Sequence, residues 1–511
     1  MANVTTEQEL REAISVSDPQ ITVLNDIVLT ILNTITYDLA ITSNGSVLSW
    51  GGAEHQTMFS VTGGAVFTIG EVVLDGLGKY VMLVNVAAST FVMNEGAVLR
   101  NVSTDSANRA VRVGLATDVG LGGTFIMNGG LITGMKPDAA VSCTGGTMTM
   151  NGEAAIADNQ AYGIALQSST LNMTGHSRIS NNVADRPGAG VLAFDQAVIY
   201  MGLSPGDAPS IRDNQSTGSY SGGVYLAGGS VLHMDYEAAI TGNQAATLAG
   251  GVGLNAAVLN MSGNAVIRGN TALAGGGGGI FGSAGSQINL SDHAVVSENT
   301  VADREGVGGG IYLQQDGTVL SLTGLAAVRQ NRAGLGGGIF LRAGTRMVLG
   351  SGEGDNLSIA DNTAAVSGGG IYVDAGAIAE LYGGTTLSGN TAGGAGRGIY
   401  QIGTLKLAGS ITVSDGLYYN SQVFVPVILA SLNTARILLE GSDYMAPENM
   451  PVIAAVKGPD YTALSAADSA AFLLPDSFPA ETPVYRNREL DQIIVGFVVR
   501  VRRASLSLIK M

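Results

Sequence analysis

Two carboxylates held roughly 5–10 Å apart can cleave a glycosidic bond, one as acid and the other as base or nucleophile. The acids of this chain that recur at a fixed place sit one residue before an asparagine. That position reads Asp158, Asn181, Asp213, Gly242, Gly269, Glu298, Gln330, Asp361, Gly389. No two successive copies carry an acid, so the column supplies no pair. The histidines, His55, His176, His233 and His293, are too scattered to share a metal ion. His176 and His293 take equivalent places, but several copies apart, beyond ligand reach. All four read as surface side chains, with His233 outward between Leu232 and Met234. No metal and no cofactor is expected.

Three further stretches invite a chemical reading. "GGGGGI" at 275–280 has the glycines of a phosphate loop. No helix follows it, and no lysine or ribose-binding acid sits at the required offset. "GSGEGDNL" at 350–357 puts Gly350, Asp355 and Leu357 in the register of a calcium-binding nonapeptide. One copy without stacked neighbours makes no site, so an ordinary loop is expected. The third is a set of aromatics after a glycine and a β-branched residue: Tyr225, Phe281, Tyr312, Phe340, Tyr372 and Tyr400. With period two their predecessors point inward, so these rings point outward. They are the candidate binding residues, for a sugar face or a partner. The alternative is a ladder that stiffens one sheet.

What positions all of these is a repeat. Asparagines closing an aliphatic-x-x-Asn motif fall at 159, 182, 214, 243, 270, 299, 331, 362 and 390, every 23–32 residues. In phase with them run "GGGIYLQQ"-type and "TVLSLTG"-type segments whose apolar residues alternate, the mark of strands with one buried face. Three short strands per unit cannot bury a face alone, so the units must stack. The expected fold is all-β: a right-handed parallel β-helix, equivalent residues about 4.8 Å apart from coil to coil. Asparagine suits its tight corner because it tolerates left-handed backbone angles. Stacked amides can then bond along the axis. "GGGGGI" becomes the most extreme copy of a glycine corner.

The ends differ. Residues 1–19 read as an N-terminal helical cap, in which Thr5 or Thr6 caps "TTEQELREAIS" and Leu10, Ala13 and Ile14 share a face. Residues 20–420 read as the solenoid. Residues 421–511, with "QVFVPVILASL", "ARILLEGSDY", "MPVIAAV" and "QIIVGFVVRVRR", read as a β-rich cap over the last edge. "SAADSAAFLL" inside it reads as a turn or two of helix. About 14 coils give a rod on the order of 65 Å long.

Composition narrows function. The chain has 511 residues, 74 of them glycine, 13% charged, and a net charge of −16. Such a charge repels nucleic-acid phosphates. The one basic cluster, Arg500, Arg502, Arg503 and Lys510, reads as a solvated strand. Cys143 is the single cysteine, so no internal disulfide forms. No apolar run is long enough to span a membrane as a helix. The start, "MANVTTEQELREAIS", lacks the basic-then-apolar order of a signal peptide.

The tandem "GNTA…GGGIY" units between about 150 and 400 resemble the β-helical passenger domains of bacterial surface proteins. The pattern is nearest that of chlamydial polymorphic membrane proteins. Their Gly-Gly-Ala-aliphatic motif corresponds to Gly309-Gly310-Ile311 and its copies, here without the alanine. Their Phe-x-x-Asn motif corresponds to Ile267-Arg268-Gly269-Asn270, with an aliphatic in place of Phe. The resemblance implies an extracellular or cell-surface, non-enzymatic adhesin or structural protein, whose partners would be a host glycan, a surface protein or copies of itself. Two rivals stand beside it. One is a carbohydrate-active enzyme on the same fold, its acids gathered by irregular loops. The sequence speaks against the pectin-cleaving kind, which carry Asp-Asp, Gly-His-Gly and Arg-Ile-Lys hallmarks missing here. The other is a self-assembling filament subunit.

Overall fold

The computed structural model describes residues 1–105, 108–114, 122–218, 220–351, 354–419, 424–441, 452–476, 478, 482–487 and 491–495. One coil shows how the sequence makes the rest. Its strands are Ile280–Ser283, Gln287–Leu290 and Val295–Ser297. In the middle strand Ile288 and Leu290 are buried while Gln287 and Asn289 face out, as alternation requires. Each strand pairs in parallel with its counterpart one coil later, Ile280 with Ile311, Ile288 with Leu320, Val296 with Val328. The result is a right-handed parallel β-solenoid of about 14 turns, with two helices among the described residues. The core runs along its axis. Near one end, Phe59, Phe67, Phe91 and Phe125 are fully buried, successive ring centroids 5.0, 5.5 and 5.2 Å apart.

The nine asparagines stack inside a corner, almost wholly buried. Asn270 shows the wiring. Its backbone N–H and Nδ2 donate to Oδ1 of Asn299 at 2.9 and 3.0 Å, and Nδ2 also donates to the Ile240 carbonyl at 3.0 Å. Its Oδ1 accepts from the backbone N–H and Nδ2 of Asn243. Every polar atom of the amide is used, which burial demands. The ladder ends on an acid: Asp415 Oδ2 accepts from the backbone N–H and Nδ2 of Asn390 at 3.0 and 2.8 Å.

One expectation about this corner needs correcting. The left-handed residue is not the asparagine but its predecessor: Asp158, Asn181, Asp213, Glu298, Gln330 and Asp361 all have φ of 55–58°. The ladder asparagines keep out of the left-handed region, and their N–H groups bond along the ladder. Two kinds of glycine flank it. Gly277 has φ +68°. Gly279 has an ordinary φ but no room, since a Cβ there would lie 2.7 Å from the Gly310 carbonyl oxygen and 2.8 Å from Asn299 Nδ2.

A fourth strip escaped the sequence reading. Straight after the asparagines come strands of two to five residues, such as Thr271–Ala272, Thr300–Val301 and Arg332–Leu335, forming an eight-stranded parallel sheet of their own. Ala272, Val301 and Ala333 pack together there.

At the N-terminus helix α1, Glu7–Ser15, is capped by Thr6, whose Oγ1 accepts from the Glu9 N–H, and it buries Leu10 and Ala13. A strand not foreseen, Ala2–Val4, precedes it and pairs with Gln20–Val23. Within 421–511, Val427–Ile428, Arg436–Gly441 and Phe472–Leu473 still pair in parallel with the coil before each. Then Gln492–Val495 turns antiparallel, against both Val452–Lys457 and Val484–Asn487. Helix α2, Ala466–Ala470, is the expected short helix. Its buried Asp468 accepts from Ser465 Oγ, Tyr461 Oη and the Leu432 N–H, each at 2.8 Å, tying the helix to the coil. The basic cluster at 500–510 lies outside the described residues.

Asn270→Ala should cost about 3 kcal/mol in urea unfolding, because it strands buried partners on two neighbouring coils. Gly279→Ala should cost about 1–3 kcal/mol by overpacking. Asn264→Ala, an exposed amide one turn away, should stay within about 0.5 kcal/mol of the parent.

Candidate functional site

The aromatic residues picked out by the sequence do form one column, but not an open one. Phe281, Tyr312, Phe340, Tyr372 and Tyr400 stack with centroids 5.4, 5.6, 4.8 and 4.9 Å apart. Tyr418, which the motif does not mark, extends the stack at 5.3 Å. Tyr225 stands apart, since the next coil places Gly253 between it and Phe281. The rings point away from the axis, yet Phe281, Tyr312 and Phe340 are only 5%, 3% and 6% exposed. The chain leaving the asparagine corner explains this. Leu248, Gly276, Val307 and Leu335 form their own parallel bridges, and Leu248, Val307, Leu335 and Ala249 pack over the rings. Phe281, Tyr312 and Phe340 make a covered satellite core, while Tyr225, Tyr372 and Tyr400 are half-buried. Arg342 Nη1 donates to the Tyr312 hydroxyl, which donates to Gln314 Oε1. Burial, then neighbouring Tyr400 and Asp374, pushes the Tyr372 phenol up to about 12.

The other candidates resolve into structure. The acids before the asparagines hold the left-handed corner. His233 stacks on Tyr200 at 4.9 Å, and His176 faces Glu153 at 3.6 Å. No group of three potential metal ligands occurs among the described residues. Asp355 accepts from the Gly324 N–H and from Ser351, so it closes a turn; residues 352–353 of that stretch lie outside the described residues. Glu380 is buried between Arg346 Nη2 at 2.6 Å and Lys406 Nζ at 2.9 Å. Burial would raise its carboxyl, but the two hydrogen-bonded cations outweigh burial and hold it below the ordinary range. It is an ion pair across the rungs.

A pocket of about 390 Å³ lies elsewhere, on the less regular coils, lined by Tyr80, Asp105, Asp138, Tyr162, Asp185 and Arg186 among others. Successive coils supply it. Tyr80, Ser103 and Lys136 bridge one to the next in parallel. The exposed His55 ring stacks on Tyr80 with centroids 5.4 Å apart. Asn108 donates twice to Asp105 Oδ1, from its N–H and Nδ2, both at 2.8 Å. Arg109 Nη1 donates to the Asp105 carbonyl at 2.6 Å and pairs with Asp138 Oδ2 at 3.1 Å. Thr104 Oγ1 accepts from the Asp138 N–H at 2.7 Å. The framework is therefore rigidly tied, with Asp185 and Arg186 exposed at its edge.

Sequence reasoning missed this pocket because Tyr80, Asp105 and Asp138 come from coils ahead of the first asparagine motif. One signal was available. In "AYGIAL", Tyr162 takes the place where later coils have Ala189, Gly222, Gly250, Gly278 and Gly309. Those positions have no space, as a Cβ on Gly250 would lie 2.5 Å from the Thr271 nitrogen. Only Gln160 and Ala161 separate Asn159 from the strand that Tyr162 begins, so this coil has no strip strand of its own, and the Tyr162 ring packs on Ala184 and Ala139.

Comparison of the chain with protein-family models, with curated proteins and with solved structures gives no match.

Phe340→Ala should cost about 3 kcal/mol or more in denaturant unfolding, as expected for an emptied aromatic site. A tyrosine held neutral to about pH 12 while the unfolded chain ionises near 10 adds stability that is whole below pH 10. That stability is lost as pH rises from 10 through 12. Stability measured over this window should therefore fall less steeply in Tyr372→Phe than in the parent.

Proposed function

We propose that the chain is a non-enzymatic, surface-exposed structural or adhesin-like protein that acts as a rigid rod for adhesion or assembly. The observation that supports this best is the continuous wiring of the shaft. From Asn159 to Asp415 each corner amide bonds to its successor, so bending the rod means breaking buried hydrogen bonds. The stacked aromatic column braces a second side of the same coils. A host glycan or surface protein is the partner this reading calls for, and an extracellular or cell-surface location goes with it.

A second reading, a carbohydrate-active enzyme, draws support from the three aspartates that line the Tyr80–Arg186 pocket. Polysaccharide turnover abolished by Asp105→Asn or Asp138→Asn would favour it over the rod.

Small-angle scattering of the purified chain should give a rigid monomeric rod on the order of 65 Å long. Arrays of glycans and surface proteins should return a bound partner without turnover. Fibres of variable length would replace the reading with a filament subunit.

A further inference from the structure

The outer face of the asparagine corner carries a comb of arginines. Arg212, Arg268 and Arg329 end the strands Ser210–Arg212, Val266–Arg268 and Ala327–Arg329, each directly after a buried aliphatic residue, so each points outward. Strand register puts Thr241 between the first two, Ser297 between the second two, and Ala360 after the last. A long cation thus alternates with a small side chain, and the arginines recur every second rung, about 9.6 Å apart along the axis. Elsewhere Arg100, Arg346 and Lys406 are committed to carboxylates. Arg268 and Arg329 are exposed, and neither guanidinium has a hydrogen-bond or ion-pair partner among the described residues. Arg212 is paired with its own neighbour, Asp213, at 3.1 Å. Across the corner, exposed Arg304 and Arg332 line an open depression of about 430 Å³ with Asp303. From Arg268 to Arg332 the corner holds these four arginines against three acids, Glu298, Asp303 and Glu305. It is locally cationic in a chain of net charge −16, and charges farther than about 8 Å are largely screened at physiological salt.

We infer that the comb is a binding site for a linear acidic glycan that bears one carboxylate or sulfate per disaccharide and lies along the rod axis. The unpaired guanidiniums call for an oxyanion, which a planar fork of N–H donors holds bidentately. The period selects the polymer. Successive acids of such a glycan lie two sugar rings apart, close to two rung spacings. Nucleic acid carries a charge about every 3.4 Å along each strand, far denser than the comb. An extended acidic peptide presents carboxylates on one face about every 6.8 Å, which falls out of step within one interval. The small residues between the arginines leave room for the rings that carry no acid. This deepens the adhesion reading by naming its glycan class. The two fail separately, because scattering tests the rod and titration tests the comb.

The test is titration calorimetry of the full chain at low salt with octasaccharides of hyaluronan, one carboxylate per disaccharide, and of κ-carrageenan, one sulfate per disaccharide. Octameric N-acetylglucosamine, an oligothymidylate and an oligoglutamate are the neutral, nucleic-acid and peptide arms. At least one acidic octasaccharide should bind, and more tightly than all three. Arg268→Gln and Arg329→Gln should each weaken it roughly three- to tenfold, the loss of one exposed ionic contact, at unchanged Tm. Arg11→Gln, which removes the same charge from helix α1, should not. Exchanging Arg268→Thr with Thr241→Arg keeps the charge but breaks the period, and should weaken binding as Arg268→Gln does. Asp213→Asn should strengthen binding about two- to fivefold by freeing Arg212, and Asn181 already holds the same left-handed position one coil earlier. Failure of both acidic octasaccharides, tighter binding of any other arm, or parental affinity in the exchanged variant would overturn the inference.

Discussion

A buried carboxamide must find two donors and two acceptors' worth of partners, and in this protein it finds them only in the coils directly before and after it. That requirement organises the shaft. It sets which residue of one coil lies over which residue of the next, because a shift by one position would leave a primary amide unpaired in the interior. It places the left-handed angle on the preceding residue, leaving the asparagine N–H free to join the stack. It also excludes a side chain from the Gly279 column, whose backbone lies against the amide nitrogens of the same ladder. The intervening strands are less constrained. Spacings of 23 to 32 residues are absorbed by loops, since the corner alone keeps the register.

Much of this was legible in the sequence because it is periodic. Alternation in "TLNM", "VLNM" and "QINL" gives the buried face, and Asn159 through Asn390 mark the corner before any coordinate is seen. What periodicity cannot show is what lies over a face. Tyr312 and Phe340 alternate with buried residues and so point outward. Nothing in that spacing reveals that Val307 and Leu335 fold back to cover them. The strip holding Thr271–Ala272 is often two residues deep, too short for any pattern of alternation. The N-terminal strand Ala2–Val4 has the same problem.

The pocket was hidden for the opposite reason. It is built mostly ahead of the first asparagine motif, from Tyr80, Asp105 and Asp138, joined by Asp185 three residues after Asn182, and these fall at unequal separations. Its one local sign is Tyr162 in a column that from Ala189 to Gly369 is given to glycine and alanine. A regular scaffold makes departures informative. Where the coils that follow carry glycine or alanine, a large side chain marks a coil that passes the corner differently.

The chain of amides also has a direction. From amide to amide, every rung donates toward the C-terminal side and accepts from the N-terminal side, and Asp415, an acceptor without an amide of its own to pass on, brings the series to a halt. Interior rungs therefore present identical joints above and below. A coil could be duplicated or removed between Asn159 and Asn390 and both new seams would close as the old ones did. Length in such a molecule is a free variable of gene duplication, adjustable in steps of one strand spacing, provided the terminating carboxylate is kept.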